Sequence, residues 1–355
     1  MILRKDIRSI KAYVPGKPLT VKGWAAKLNS NENALGVSAL AQQAVMKNVK
    51  NIFRYPDGSS FGLKKAIATK YGLTAGNIVL GNGSDEIIDI IIKTFCNPGE
   101  EILTSEITFV EYEIVARANG FKAITVPLKN FTYDLAGLQN AITKKTKVIF
   151  IANPNNPTGT YIGQKALMQF IKKLRADIVL ALDEAYIEYA DAKDFPDILR
   201  LIKNKNIIIL RTFSKAYGLA GLRVGYAIAK KEFIAAMEKI RQPFNINFLA
   251  QKAAEAALAD TGFIKKTRSL ILSEKCKLYD AFERLNIEYI PTQANFVMFK
   301  TTLDGVALCK KLMEKNVLIR DLKQYGLDYY VRVTIGTPRE NKMFLENLSR
   351  ILKRK

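Results

Sequence analysis

The stretch NIIILRTFSKAYGLAGLRVGY, residues 206–226, begins as an apolar, β-branched run and turns polar at Arg211-Thr212. Ile207 to Leu210 reads as a buried strand. Behind it come a hydroxyl residue, Ser214, a lysine, Lys215, and a glycine-spaced arginine, Arg223. A lysine at the end of a buried strand, with an arginine close behind, suits a Schiff base to an aldehyde cofactor that carries a phosphate.

Working outward, three more apolar runs end in the same manner. Lys147 to Ala152 leads to Asn153-Pro154-Asn155-Asn156-Pro157-Thr158-Gly159, and Asp177 to Leu182 leads to Asp183-Glu184-Ala185-Tyr186. Asn77 to Leu80 leads to Gly81-Asn82-Gly83-Ser84-Asp85-Glu86. Such runs alternate with helix-period segments, the pattern of an α/β protein with a parallel sheet. In open parallel sheets ligands bind beyond the carboxyl ends of the strands, so four polar strand ends imply one shared site. The last third reads differently: a long helix from about Asn247 to Leu285, a strand Ala294 to Phe299, and a helix Leu303 to Lys315. Strands Val317 to Arg320 and Tyr329 to Ile335 follow, with a final helix from Pro338 to the end. That is a smaller α+β unit, expected to pack over the site together with the N-terminal segment.

Composition narrows the chemistry. The 355 residues suit one large or two moderate domains. Lys plus Arg outnumber Asp plus Glu by 55 to 33, a formal net charge of +22. The basic residues are spread along the chain, with no long run interleaved with aromatics, so neither nucleic acid nor membrane is expected as a partner. There is no histidine. That excludes Ser-His-Asp and Cys-His nucleophiles and histidine metal sites, and leaves proton transfer to Lys, Tyr, Asp, Glu or Cys. Cys96, Cys276 and Cys309 lie far apart without ligand spacing, and no metal is expected. The start MILRKDIRSIKAY lacks a signal-like apolar core, and the apolar runs are too short to span a bilayer, so a cytoplasmic location is expected.

Each motif residue admits a chemical reading beside a plain structural one. Gly81 to Ser84 opens a helix with Ser84 as N-cap; free N–H groups there favour phosphate, but taken alone the loop reads better as a capped helix without ligand. Asp183 follows a strand directly, and a partly buried carboxylate needs a partner: a protonated pyridine nitrogen, a salt bridge or a helix cap. Tyr186 could bond a phenolic oxygen or be core. Asn156, before Pro157, could present its amide to the same oxygen or simply make a turn. Phe109 could stack on a pyridine ring or pack. Lys215 has the sharpest reading, as the Schiff-base amine that later moves the α-proton; Arg223 would clamp the phosphate with Thr212 and Ser214 as hydroxyl donors. Pyridoxal 5'-phosphate is the cofactor these roles describe. Arg320 and Arg332, at strand ends of the small unit, suit an anionic substrate group or ordinary salt bridges.

In order, NPNNPTG (153–159), DEAY (183–186) and SKAYGLAGLR (214–223) resemble the pyridoxal-phosphate-dependent aminotransferases of fold type I, classes I and II. Within them the chain is most similar to the histidinol-phosphate aminotransferases. Supporting pieces are YVPGKP (13–18), LNSNEN (28–33), RYPDG (54–58), GNGSDE (81–86), RQPFNIN (241–247), ANF (294–296) and RVTIGTPREN (332–341). The resemblance implies a large domain with a mostly parallel sheet flanked by helices, over 51–265. A small α+β domain would comprise 266–355 together with the arm and first part in 1–50. Lys215, Asp183 and Tyr186 would be catalytic, with Asn156 and Tyr186 on the cofactor oxygen and Phe109 on its ring. The amides of Ser84, Asp85 and Glu86 would hold the phosphate with Thr212, Ser214 and Arg223. Tyr55 would reach that phosphate from the partner of a homodimer. Tyr13, Asn156, Arg320 and Arg332 would bind substrate, the arginines taking its phosphate and then the carboxylate of glutamate or 2-oxoglutarate.

The implied reaction converts L-histidinol phosphate and 2-oxoglutarate to imidazole-acetol phosphate and L-glutamate. The alternatives are an aromatic amino acid aminotransferase and a threonine-phosphate decarboxylase-like enzyme. A cofactor-binding regulator would need a DNA-binding module before Tyr13, and none is expected. Three departures stand out: Phe109 replaces a frequent tyrosine, Glu106-Ile107 stand where a proline-rich turn is usual, and Ala34 replaces a frequent proline.

Overall fold

The strands follow a two-residue start, β1 (Ala26–Lys27), with β2 (Ile78–Gly81), β3 (Glu101–Ser105) and β4 (Lys122–Val126). A small hairpin, β5 (Leu128–Lys129) and β6 (Thr132–Tyr133), precedes β7 (Thr146–Ala152), β8 (Val179–Asp183), β9 (Ile207–Thr212) and β10 (Gly225–Ile228). The structure, a computed structural model, describes residues 2, 4, 7, 8, 10 and 24–352. Seven strands form the central sheet, in spatial order β2-β10-β9-β8-β7-β3-β4. Neighbours from β9 to β4 are parallel, and β10 runs antiparallel to both β9 and β2. β2 therefore points the same way as β9. The four strands whose ends carry the motifs all deliver them to one edge.

β7, β8 and β9 read as continuous apolar runs because helices cover both faces of the sheet, so nearly every residue in them is buried. The helix Gln164–Lys173 shows the covering pattern: Leu167, Phe170 and Ile171 face inward at i, i+3 and i+4, and lysines face out. The helix Gly83–Phe95 is more deeply set, with five isoleucines buried between Ile87 and Ile92.

A second hydrophobic core lies in the C-terminal part. β11 (Tyr289–Ile290), β12 (Phe296–Lys300), β13 (Val317–Leu318), β14 (Arg320–Leu322) and β15 (Leu327–Thr334) follow in order. Four of them form an antiparallel sheet ordered β11-β12-β15-β14. β13 instead pairs in parallel with β1, and Ala26 and Leu28 enter this second core. The N-terminal segment thus joins the small unit, whereas Ala41, on the helix Ala39–Asn48, packs in the large core.

Three local expectations are corrected. The long helix over 247–285 is two helices, Phe248–Ala259 and Thr261–Arg284. Asp260 leaves helical geometry, and its carboxylate accepts from the Phe263 amide at 3.0 Å, capping the second helix. The strand expected over 317–320 divides at Ile319, because β13 and β14 pair with different partners. Ser84 is not the N-cap of its helix. Asn82 holds that position, its amide bonded by the Glu86 carboxylate, and Ser84 lies in the first turn. Among the described residues no helix is long and apolar enough to cross a membrane.

Candidate active site

A cavity of about 220 Å³ lies beyond the carboxyl edge of the large sheet, roofed by β14, β15 and the residues after β1. It brings together Ser84, Asp85, Phe109, Asn156, Asp183 and Tyr186 with Thr212, Ser214, Lys215, Arg223, Arg320 and Arg332. Glu86 and Tyr55 do not line it. Glu86 is held by the Asn82 amide and by Asn245 Nδ2 at 2.7 Å. Tyr55 is 81% exposed and stacks on Phe244 at 4.7 Å. Tyr13 lies outside the described residues.

Lys215 sits in the loop after β9. Its amine donates to the Ser30 carbonyl at 3.4 Å and stands 5.6 Å from the centre of the Tyr186 ring. The Tyr186 hydroxyl accepts from Asn31 Nδ2 at 3.0 Å, and its ring meets Phe296 edge-on. Asn31 occupies a left-handed backbone conformation, φ 55°, which asparagine tolerates.

Asp183 ends β8 and is only 3% exposed, deeper than the partly buried position its sequence suggests. Its Oδ2 accepts from the Tyr112 hydroxyl at 2.7 Å and its Oδ1 from the Ala185 amide at 3.0 Å. Burial pushes its carboxyl up to about 6; the two hydrogen bonds oppose the shift, and Asp85 and Glu184 add to it. Such a carboxylate is poised for a cation in the cavity.

A second corner is an anion cradle. Arg223, at φ 56°, donates to Ser214 Oγ at 3.3 Å and pairs with the Asp85 carboxylate at 3.0 Å. Thr212 Oγ accepts from the Ser214 amide at 3.1 Å. The start of the helix Gly83–Phe95 lies against this group: Gly83 has φ +79°, and a Cβ there would come within 2.3 Å of Arg223 Nη2. A Cβ on Gly225 would lie 2.5 Å from the Ser84 amide nitrogen. Only glycines let the guanidinium and the helix start meet around one small anion.

The loops that carry Phe109 and Asn156 are tied together from behind. Thr108 Oγ donates to Asn155 Oδ1 at 2.8 Å and bonds the Tyr133 hydroxyl at 2.6 Å, while Asn155 Nδ2 reaches the Ile107 carbonyl at 3.0 Å. These bonds fix the loop that carries Glu106, Ile107 and Phe109. Both Asn153–Pro154 and Asn156–Pro157 are cis. Asn156 Oδ1 accepts from Arg332 Nη1, and Arg332 Nη2 donates to the Asn29 carbonyl at 3.1 Å. Arg320 and Arg332 are direct cross-strand partners, each 8% exposed. Two guanidinium groups side by side at the cavity wall suit an anionic group of a substrate.

Pyridoxal phosphate fits these residues. A buried carboxylate awaits a ring cation, hydroxyls and a guanidinium at a helix start await a phosphate, and an amine and an aromatic ring lie between. The sequence reading missed Tyr112, Asn31, Gln324 and Tyr325, which also line the cavity. Tyr112, on the helix Glu111–Ala118, reads locally as a core aromatic, because Asp183 lies 71 residues away in sequence. Gln324 and Tyr325 lie in a short turn after β14 and carry no local signal.

Comparison with known proteins points to one family. The family profile for aminotransferase class I and II matches residues 25–348. The histidinol-phosphate aminotransferase of Moorella thermoacetica is 46% identical, with 98% of this chain and 92% of that protein covered. Histidinol-phosphate aminotransferase 2 of Carboxydothermus hydrogenoformans is 41% identical over 99% of both. The crystal structure of histidinol-phosphate aminotransferase from Sinorhizobium meliloti in complex with pyridoxal-5'-phosphate superposes with a TM-score of 0.91. It is 27% identical, over 99% of this chain and 98% of that one.

Proposed function

The chain belongs to the class I and II aminotransferases, and we propose that it moves the amino group of L-histidinol phosphate to 2-oxoglutarate. The products are imidazole-acetol phosphate and L-glutamate. The observation that carries this reading is the facing pair Arg320 and Arg332, set over a cavity that also holds Lys215, Asp183 and Arg223. When bound, pyridoxal phosphate supplies an electron sink for the negative charge that develops at the substrate α-carbon.

The chain's own residues then divide the work. Asp183 holds the proton on the ring nitrogen, and its low exposure strengthens that ion pair. Tyr186 and Asn156 would hydrogen-bond the phenolic oxygen. Thr212, Ser214, Arg223 and the amides of Ser84 and Asp85 would hold the cofactor phosphate, and Phe109 would cover one face of the ring. The Lys215 amine, which borders the cavity, would take the proton from the substrate α-carbon. Arg320 and Arg332 hold the substrate phosphate in the first half-reaction and a 2-oxoglutarate carboxylate in the second. Because the amino group stays on the enzyme's cofactor between the two half-reactions, the kinetics would be ping-pong.

A cytoplasmic homodimer is part of the same proposal, with Tyr55 reaching the partner's cofactor phosphate. The dimer is supported by exposed apolar side chains, Met46, Ile52, Phe53, Tyr55 and Phe244, of which Tyr55 stacks on Phe244. Lys215→Ala tests the assignment. The protein should fold, lose the absorbance of the lysine-bound cofactor and lose turnover; normal turnover in that variant would overturn it.

A further inference from the structure

Asp183 is gripped from two different elements. The Ala185 amide, from its own strand end, reaches Oδ1, and the Tyr112 hydroxyl, from the helix Glu111–Ala118, reaches Oδ2. Tyr112 is wholly buried. Its ring stacks on Phe150 at 4.9 Å and 11°, and meets the Phe109 ring edge-on at 5.7 Å and 85°. One side chain therefore touches both the carboxylate and the ring assigned to the cofactor. In a chain without histidine, a phenol stands behind the acid.

We infer that Tyr112 is a positioning residue of the cofactor site: its hydroxyl fixes the rotation of the Asp183 carboxylate and favours the ionised form. This rests on the reading that Asp183 pairs with the pyridine nitrogen. The terminal torsion of aspartate is broad, and one backbone donor on one oxygen leaves it free to turn. A second donor on the other oxygen, from a separate element, sets the plane. Each oxygen keeps a lone pair for a donor in the cavity. Hydrogen bonding to the charged form also offsets the burial of Asp183. Burial and the neighbouring Asp183 raise the Tyr112 hydroxyl well above its ordinary range, so it stays a donor at working pH. The other titratable groups around Asp183 are Tyr133, Tyr186, Asp85 and Glu184, with Lys215 and Arg223 bordering the cavity.

The test is a titration of apoprotein with pyridoxal phosphate, followed by absorbance from pH 5 to 8.5. The proteins are the wild type, Tyr112→Phe, Asp183→Asn and the double variant. Tyr112→Phe keeps the ring and its stacking. Losing a hydrogen bond to a charged group should weaken binding roughly ten- to hundredfold at pH 7.5. It should also raise the pH below which affinity falls. In the Asp183→Asn background the same substitution should have little further effect. Phe150→Leu, which disturbs the ring stack but not the bond, should leave that pH midpoint at the wild-type value. Wild-type affinity and midpoint in Tyr112→Phe, with Asp183→Asn impaired, would overturn the inference alone. A Phe150→Leu midpoint moved as far as that of Tyr112→Phe would overturn it too, since packing would then be the cause. Unchanged binding in Asp183→Asn would remove the underlying pairing and the inference with it.

Discussion

Arg211→Met breaks an ion pair that underlies the site. β8 and β9 pair with Asp183 opposite Leu210, so Glu184 and Arg211 lie together on the face of the sheet away from Asp183. Arg211 donates Nε and Nη2 to Glu184 Oε2 at 2.9 and 2.6 Å, and Nη1 to the Tyr71 hydroxyl at 2.7 Å. The side chains are 13% and 2% exposed. Burial pushes the Glu184 carboxyl up and Arg211 opposes the shift; Glu188 behaves alike. Breaking a buried pair from one side costs about 3–5 kcal/mol. A second route gives a similar ceiling, because Glu184 can take up a proton instead. Doing so costs about 1.4 kcal/mol per pH unit above a carboxyl pKa of about 4.3, hence about 4 kcal/mol at pH 7.5 and under about 2 at pH 5.5.

In the variant the folded pKa of Glu184 lies further above its unfolded value. The stability it contributes is full below about pH 4.3 and is lost as pH rises. The damage should therefore be greater at pH 7.5 than at pH 5.5. Urea denaturation of apoprotein at one protein concentration measures it. Adding Glu184→Leu removes the stranded charge and should recover most of the loss. A loss below about 1 kcal/mol at pH 7.5, or one equal at both pH values, would refute the reasoning.

Asp183 yields a second pH prediction. Its folded pKa of about 6 exceeds the unfolded value, so its favourable contribution is present at low pH and lost as pH rises through about 6. A bound ring cation reverses that loss, so the gap in Tm between cofactor-loaded and apo protein should widen from pH 5 to 7.5; a constant gap contradicts the pairing. Gly83→Ala forces a side chain into φ +79° and onto Arg223 Nη2. Backbone strain of about 1–2 kcal/mol and the displaced guanidinium should weaken cofactor binding about tenfold, read by absorbance titration, and unchanged affinity would dismiss the cradle. Arg332→Ala should lower kcat/KM for both the amino donor and 2-oxoglutarate by about tenfold or more. An effect on only one would show that the two anions use different groups.

The fold was legible where local pattern and tertiary context agree. Continuous β-branched runs such as Val148 to Ile151 read as buried strands because both faces of a parallel sheet are covered. Their polar ends then located the site, and Lys215, Asp183 and Arg223 line one cavity as the motifs suggest. What escaped was set by caps and long-range partners. Asp260 interrupts an apolar helical pattern that continues on both sides, so only its Asp-Thr-Gly context marked the break. Ile319 lies inside one β-branched run, and the change of partner across it follows from β1, nearly 300 residues earlier. Tyr112 reads as helix core, since its hydroxyl acquires meaning only beside Asp183, 71 residues away in sequence. The Asp85 side chain pairs with Arg223, although only its amide was given a role.

The most direct test of the donor assignment is a single half-reaction. Cofactor-loaded protein is mixed with L-histidinol phosphate, and separately with L-phenylalanine, without keto acid, and the cofactor absorbance is followed over a concentration series. The account predicts a much higher efficiency with histidinol phosphate, whose phosphate engages Arg320 and Arg332. Equal or better efficiency with phenylalanine, or no change with either compound, would contradict it.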